Sequence, residues 1–290
     1  MKQLSELVFC AFCLLLAVTS PTRAADDNPK TGGPYVPTPQ VVVDQMLRMA
    51  NVTATDYVID LGSGDGIIVL TAARQFKASG MGVDIDPELV KLSNARAQKL
   101  GVADRVQFVQ LDVFKADLSK ASVLTLYLLP GMMLNLRDKI FNELKPGTRV
   151  VSHDYHFGDW RPDDGVTFDV PEKETVTGVP AATVHVWHVP ARVAGTWQVK
   201  VAGGETYELS LKQRFQAVEG VAAAGGKPLR AQHLALRGTE FSFALPDGRG
   251  VVRFTGQVKD GAIEGAVELP GGRSARWTAT RTAAGTVVIN

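Results

Sequence analysis

The stretch Val58-Ile59-Asp60-Leu61-Gly62-Ser63-Gly64-Asp65-Gly66 decides the fold. An apolar run broken by one acid leads into glycines alternating with Ser63 and Asp65, and residues 67–76 continue with helical spacing. A strand that passes through a glycine-rich turn into a helix is the opening unit of a parallel α/β sheet. It presents backbone amides to a ligand at the helix N-terminus. Glycines suit that turn because its tightness disfavours Cβ and a side chain would block the ligand's approach.

Outward from this unit the same alternation continues to about Pro190. Val41, Val42, Gln45, Met46, Met49 and Ala50 suit an amphipathic entry helix. The first strand is expected over 56–61 and later ones over 80–84, 106–110, 123–128 and 149–152, with helices over 87–100 and 132–144. The segment 176–189 is expected to supply the remaining pair of strands. Beyond Pro190, short alternating runs are separated by Gly-Gly, Asp-Gly and Pro-Asp-Gly, which predicts an antiparallel meander of about eight strands closing into a small barrel or sandwich. Trp197, Phe215, Phe241, Phe243, Phe254 and Trp277 are its candidate core, and residues 222–226 read as a loop. The expected class is therefore α/β, a Rossmann-like sheet over 40–190, followed by an all-β domain over 191–290.

Charge and cysteine content narrow the function. Among 290 residues, 31 basic side chains face 30 acidic ones, so the basic excess of a phosphate-gripping protein is missing and no nucleic-acid partner is indicated. Cys10 and Cys13 both lie in the first apolar run, which excludes a disulfide framework, a thiolate zinc site and a cysteine nucleophile from the folded part. Lys2, the apolar run 7–18 and the small-residue exit ending at Ala24-Ala25 follow the plan of a signal peptide over 1–24. The run is short for a membrane span, which needs roughly 20 residues. Export to the periplasm or exterior is expected, with an uncleaved membrane anchor as the alternative. Residues 25–39 read as a linker and entry motif.

Acids mark the ligand. Asp84 ends the second strand about 20 residues after the glycine turn, where a carboxylate accepts hydrogen bonds from both hydroxyls of a ribose. Asp112 ends the third strand at the same sheet edge. An anionic pyrophosphate disfavours Asp60 and Asp65, whereas a ligand with an amine and a sulfonium suits them. S-adenosylmethionine is such a ligand, with Asp60 near its ammonium, Asp84 on the ribose and Asp112 near the adenine amine. The set Asp60 to Gly66, Asp84 and Asp112 resembles the first motifs of the class I, seven-strand methyltransferases, over roughly half the chain.

Pro34-Tyr35-Val36-Pro37-Thr38-Pro39, residues 112–119 and Leu129-Pro130-Gly131-Met132-Met133 resemble, more narrowly, the lysine methyltransferases of the ATP synthase c subunit and the adenine nucleotide translocase. Residues 147–160 parallel that family's segment after strand five, but this chain carries Ser152-His153-Asp154-Tyr155-His156 where the family has a more cationic, proline-bearing stretch. The resemblance implies S-adenosylmethionine as co-substrate, held by Tyr35, Asp60, Gly62, Ser63, Gly64, Gly66, Asp84, Ile85, Asp112, Val113, Leu129 and Pro130. Asp154 and Tyr155 are the catalytic candidates, Asp154 to take up or relay a proton and Tyr155 to shape the channel. The implied acceptor is a protein lysine or a small molecule, with membrane association through the N-terminus.

Other readings compete. His153, Asp154, His156 and Asp159 match no metal motif by spacing, and no metal is expected. Gly62-Ser63-Gly64 lacks the spacing of a nucleophile elbow. An exported, non-catalytic binding protein on the same scaffold is one alternative. A lipocalin-like carrier built on the β-domain is another.

Overall fold

Two sheets of different construction follow one another along the chain. The computed structural model describes residues 33–248 and 250–289; the leader expected over 1–24, with Cys10 and Cys13, falls outside the described residues. The first sheet comprises β1 (Tyr57–Leu61), β2 (Ser79–Asp84), β3 (Val106–Gln110), β4 (Val123–Leu126), β5 (Arg149–His153), β6 (Asp164–Asp169) and β7 (Ala181–His188), in the spatial order β3-β2-β1-β4-β5-β7-β6. β7 runs antiparallel to both of its neighbours, β5 and β6, and the other pairs of this sheet are parallel. Chain order reverses between β1 and β4, which opens a crevice beyond the carboxyl ends of those strands.

Helices cover the sheet: α1 (Gln40–Met49), α2 (Ile67–Phe76), α3 (Pro87–Lys99), α4 (Pro130–Glu143) and α5 (Pro171–Thr177). Val42, Val43, Met46 and Leu47 are the buried positions of α1, whereas Val41 is exposed, so the entry helix turns slightly from the face read in the sequence. Asp86 caps α3 by accepting from the Glu88 and Leu89 amides, and Pro87 at the first turn sacrifices no hydrogen bond. Proline has the same effect in α4, which begins at Pro130 and not at Met132 as the pattern suggested.

One expectation is overturned at the far edge. The pair of strands expected within 176–189 is really one strand, β7, because β6 lies earlier and α5 intervenes. No residue of β6 is fully buried, so it lacks the apolar signal of the inner strands.

The second sheet has ten strands, not about eight: β8 (Gly195–Val201), β9 (Thr206–Arg214), β10 (Ala217–Ala224), β11 (Lys227–Arg230), β12 (Gln232–Arg237), β13 (Glu240–Asp247), β14 (Gly250–Lys259), β15 (Ala262–Leu269), β16 (Arg273–Ala284) and the short β17 (Val287–Val288). Ala222 to Ala224, read as loop, belong to β10, and only Gly225-Gly226 turns. The sheet curls until β10 approaches β12, a nearly closed barrel. Aromatic rings fill its interior, which weighs against the carrier reading. Phe243 and Phe254 stack at 4.4 Å, and Trp277 meets them edge-on at 5.6 and 5.3 Å. Gly256 and Gly265 face each other across β14 and β15, and a Cβ at 256 would lie 2.9 Å from the Trp277 ring. The indole therefore requires glycine at position 256.

Phe215 is buried, but not in the barrel. It sits at φ +49° in the β9–β10 turn and enters the core of the first sheet, stacked on Trp160 at 5.4 Å and edge-on to Phe141 at 5.7 Å. Gln213 beside it is buried, with its side-chain amide bonded to the Val193 and Ala194 amides and to the Ala191 and Phe215 carbonyls. β17 pairs parallel with β9, and Val287 and Ile289 pack against the same core as Phe215.

Candidate active site

The glycine turn is built as its sequence requires. Gly62, Gly64 and Gly66 all adopt positive φ, and the Gly62 and Ser63 amides donate to the Val83 carbonyl at 2.8 and 2.9 Å. Tyr35 lies across Gly64, where a Cβ would meet its ring at 2.5 Å. The Gly64 amide donates to Asp84 Oδ2 at 2.8 Å, and the Asp86 amide to Asp84 Oδ1 at 3.0 Å. Those bonds aim the Asp84 carboxylate and leave it lone pairs for a diol. Ser63 Oγ is buried without a hydrogen-bond partner among the described residues. Asp65, the second acid of the turn, is neutralised by Arg96 of α3. The Tyr35 hydroxyl is pushed up to about 12 by burial, with the Asp65 carboxylate adding to the effect.

Asp60 is the buried member of the acid set, at 2% exposure, and accepts from Thr125 Oγ1 of β4 at 2.7 Å. Burial pushes its carboxyl up to about 7, the Thr125 bond opposes this, and the charges of Asp84 and Asp65 add to it. Between the ordinary carboxylate range near 4 and pH 7 the folded protein holds a proton that the unfolded chain has released. Asp60 therefore contributes stability that is lost as pH rises from 4 through 7, opposite in sign to the contribution of the buried His153. Asp60→Asn is expected to shift the slope upward by removing that loss. Urea melts at pH 5 and 7.5 measure both slopes; equal slopes in the two proteins would remove Asp60 from the account.

Asp112 caps a single 3-10 turn over Val113–Lys115 by accepting from the Phe114 amide at 3.0 Å. Val113 is buried beneath it, whereas Ile85 and Phe114 are exposed apolar side chains at the ends of β2 and β3. Leu128 covers Gly62, and the exposed Leu129 packs near Gly33, so the 33–39 segment runs from the head of α4 to the glycine turn. Pro130 opens α4 beside them. Carboxylates with flanking apolar surface fit a cationic nucleoside such as S-adenosylmethionine, and the orphaned Ser63 hydroxyl adds a free polar group to the turn.

Asp154 is differently placed from a free proton acceptor. It adopts φ +63°, held by its amide to the Thr183 carbonyl at 2.7 Å and by Oδ1, which accepts from the Thr183 amide at 3.0 Å. Its Oδ2 is ion-paired with the buried Lys173 of α5. Tyr155 is half-buried and stacks on Tyr127 at 6.2 Å, while its carbonyl accepts from Ser152 Oγ. His153 is fully buried, packs against the Tyr127 ring at 3.9 Å, and has Nδ1 3.5 Å from Thr38 Oγ1. Burial pushes its imidazole down to about 4; Asp154 opposes that and Lys173 reinforces it. Val36, Pro37, Thr38, Tyr127, His153 and Lys173 are among the residues that line a cavity of about 310 Å³.

The remaining polar residues of that loop disperse. His156 Nδ1 accepts from the Gly158 amide, Asp159 pairs with Arg137 and Arg214, and His188 lies beside Asp163. Thr125, Arg96 and Lys173 escaped the sequence reading. A threonine on a buried strand, an arginine late in a helix and a lysine in an acidic stretch give no signal until the fold brings them to their partners.

Residues 60–164 match the family model described as the ANTKMT methyltransferase domain. A protein-lysine N-methyltransferase of Saccharolobus islandicus is 45% identical over 44% of this chain and 81% of its own length. The lysine N-methyltransferase that acts on the ATP synthase c subunit in Xenopus laevis is 36% identical, over 45% of this chain and 57% of that protein, so the chain spans little more than half of this vertebrate relative. Among solved structures, an RNA methyltransferase from Salinibacter ruber in complex with S-adenosyl-L-homocysteine is 49% identical, with a TM-score of 0.50 over 55% of this chain and 96% of that one.

Proposed function

This chain belongs to the family of S-adenosylmethionine-dependent protein-lysine methyltransferases, and on that premise we propose that it methylates the side-chain amine of a protein lysine. One observation carries the reading: Asp60 near the end of β1, Asp84 at the end of β2 and Asp112 just past β3 surround the glycine turn, in a chain 45% identical to a protein-lysine methyltransferase. When bound, S-adenosylmethionine supplies an activated methyl group on a sulfonium.

The residues of this chain then bind, aim and exclude water. Asp84 and Asp112 would hold the nucleoside, Asp60 the amino-acid end, and Tyr35 closes over Gly64. Alignment of nucleophile, carbon and leaving group is the main contribution such a site makes. Asp154 acts here as a positioning residue, since its ion pair fixes α5 against the end of β5, and Tyr155 supports the Tyr127 ring.

Export or membrane anchoring through residues 1–24 forms part of the proposal, supported by their leader-like pattern, and places the acceptor in the cell envelope. The test incubates full-length protein with methyl-labelled S-adenosylmethionine and, separately, envelope proteins, soluble proteins, RNA and small-molecule extracts. Label recovered as methyl-lysine from a protein hydrolysate is the expected result. Label confined to RNA, the acceptor named for the Salinibacter enzyme, or to small molecules would overturn the lysine reading while keeping the donor site. Fractionation of cells expressing the tagged full chain tests the location.

A further inference from the structure

We propose that Arg214, Phe215 and Gln216, where β9 turns into β10, are positioning residues for the loop after β5. Through that loop the barrel governs capture of the methyl acceptor and leaves capture of the donor alone. The inference rests on the methyl-transfer reading and gives a role to a part of the chain beyond the residues that match the family model.

The place of the loop is the first argument. Asp60, Asp84 and Asp112 put the donor over the ends of β1 to β3, so the ends of β4 and β5 form the flank left to the acceptor. Residues 154–163 leave β5 on that flank. Tyr155 stacks on Tyr127, which lines the 310 Å³ cavity, and two positions later Phe157 enters the core of the first sheet. Within the loop the backbone makes one isolated bridge, Phe157 to Trp160, so its pose depends on what holds it from outside.

The grip is the second argument. Three consecutive residues of the turn hold three consecutive residues of the loop, each by a different interaction. Arg214 pairs with Asp159, and Asp159 also pairs with Arg137, so one carboxylate joins barrel, loop and α4. Phe215 stacks on Trp160 with the ring planes 4° apart, and the Trp160 carbonyl accepts from Trp187 Nε1 at 2.9 Å. The Gln216 side-chain amide donates to the Arg161 carbonyl at 2.6 Å.

A turn imposes a position only if it is itself fixed, and this one is. Phe215 holds φ +49°, a conformation that an aromatic residue keeps only where its surroundings over-determine it. Its carbonyl accepts from Gln213 Nε2 at 2.7 Å, and its amide donates to the Val288 carbonyl at 3.3 Å. Gln213 Oε1 accepts from the Val193 and Ala194 amides at the entry to the barrel. The turn is thus tied both to the entry into the barrel and to β17.

The test compares the full chain with the double variant Arg214→Glu, Gln216→Ala and with Arg214→Lys. Arg214 and Asp159 are both exposed, and such pairs contribute little to overall stability, so the double variant folds with Phe215 in place. Hydrogen exchange read by mass spectrometry is expected to quicken at least tenfold over residues 154–163 in the double variant and to stay within twofold in Arg214→Lys. Methyl transfer from labelled S-adenosylmethionine is then titrated with the fraction, among envelope proteins, soluble proteins, RNA and small molecules, that takes up label. The acceptor amount at half-maximal rate should rise about fivefold in the double variant. The S-adenosylmethionine concentration at half-maximal rate should stay within twofold, and Arg214→Lys should match wild type in both. A mere loss of folded enzyme would lower the maximal rate and move neither value. Unchanged exchange in the loop, an unchanged acceptor value, or donor and acceptor values that rise together would overturn the proposal. Label absent from lysine in the wild type sinks the lysine reading alone, and with no labelled fraction at all the loop exchange decides the proposal by itself.

Discussion

Asp84→Ala is expected to weaken binding of S-adenosylmethionine and S-adenosylhomocysteine by on the order of 100-fold. A hydrogen bond to a charged group contributes about 1.5–3 kcal/mol, so two ribose hydroxyls on one carboxylate account for roughly 3 kcal/mol or more, and 1.4 kcal/mol is a factor of ten. The carboxylate also accepts from the Gly64 and Asp86 amides, so alanine loosens the turn as well. Asp84→Asn separates the two effects, because its carbonyl can still accept from Gly64 while the charge is gone. Calorimetric titration of wild type and both variants measures this. Retention of affinity within fivefold in Asp84→Ala would remove Asp84 from the donor site.

Phe215→Ala is expected to lower unfolding stability by about 3–5 kcal/mol, the range for a truncated buried aromatic. The ring fills space between Trp160 and Phe141, and the Arg137 guanidinium lies over it at 5.5 Å. Its removal opens a cavity in the core of the first sheet although the residue belongs to the turn between two barrel strands. Tryptophan fluorescence in urea reports on both regions, since Trp160 and Trp187 lie in one core and Trp197 and Trp277 in the other. One shared transition, shifted as a whole, is the expected form. A loss below about 0.5 kcal/mol, the size of an ordinary surface substitution, would mean that the barrel does not brace the first sheet.

What could be read from the sequence follows from how local each signal is. The glycine turn and the placement of Asp84 and Asp112 along one sheet edge were legible because backbone conformation and strand ends leave marks in consecutive residues. β6 was not, since its side chains are half-solvated and carry no apolar run. The roles of Phe215 and Lys173 were hidden for another reason: each is defined by a partner distant in sequence, Trp160 for one and Asp154 for the other. Asp154 shows the limit most clearly. An acid in that loop reads as a base, and nothing in the sequence signals that the fold pairs it with the buried Lys173 of α5.

Phe215, Val287 and Ile289 complete a core whose other members lie between residues 57 and 189. During synthesis the α/β sheet emerges from the ribosome well before those three residues. Until they arrive, Phe141 and Trp160 lack the ring that covers them, and a nascent chain with such a gap is prone to aggregate. The methyltransferase half is thus committed to waiting for its downstream neighbour, so ribosome-bound chains stalled before residue 215 should remain protease-sensitive at α4 where longer ones do not.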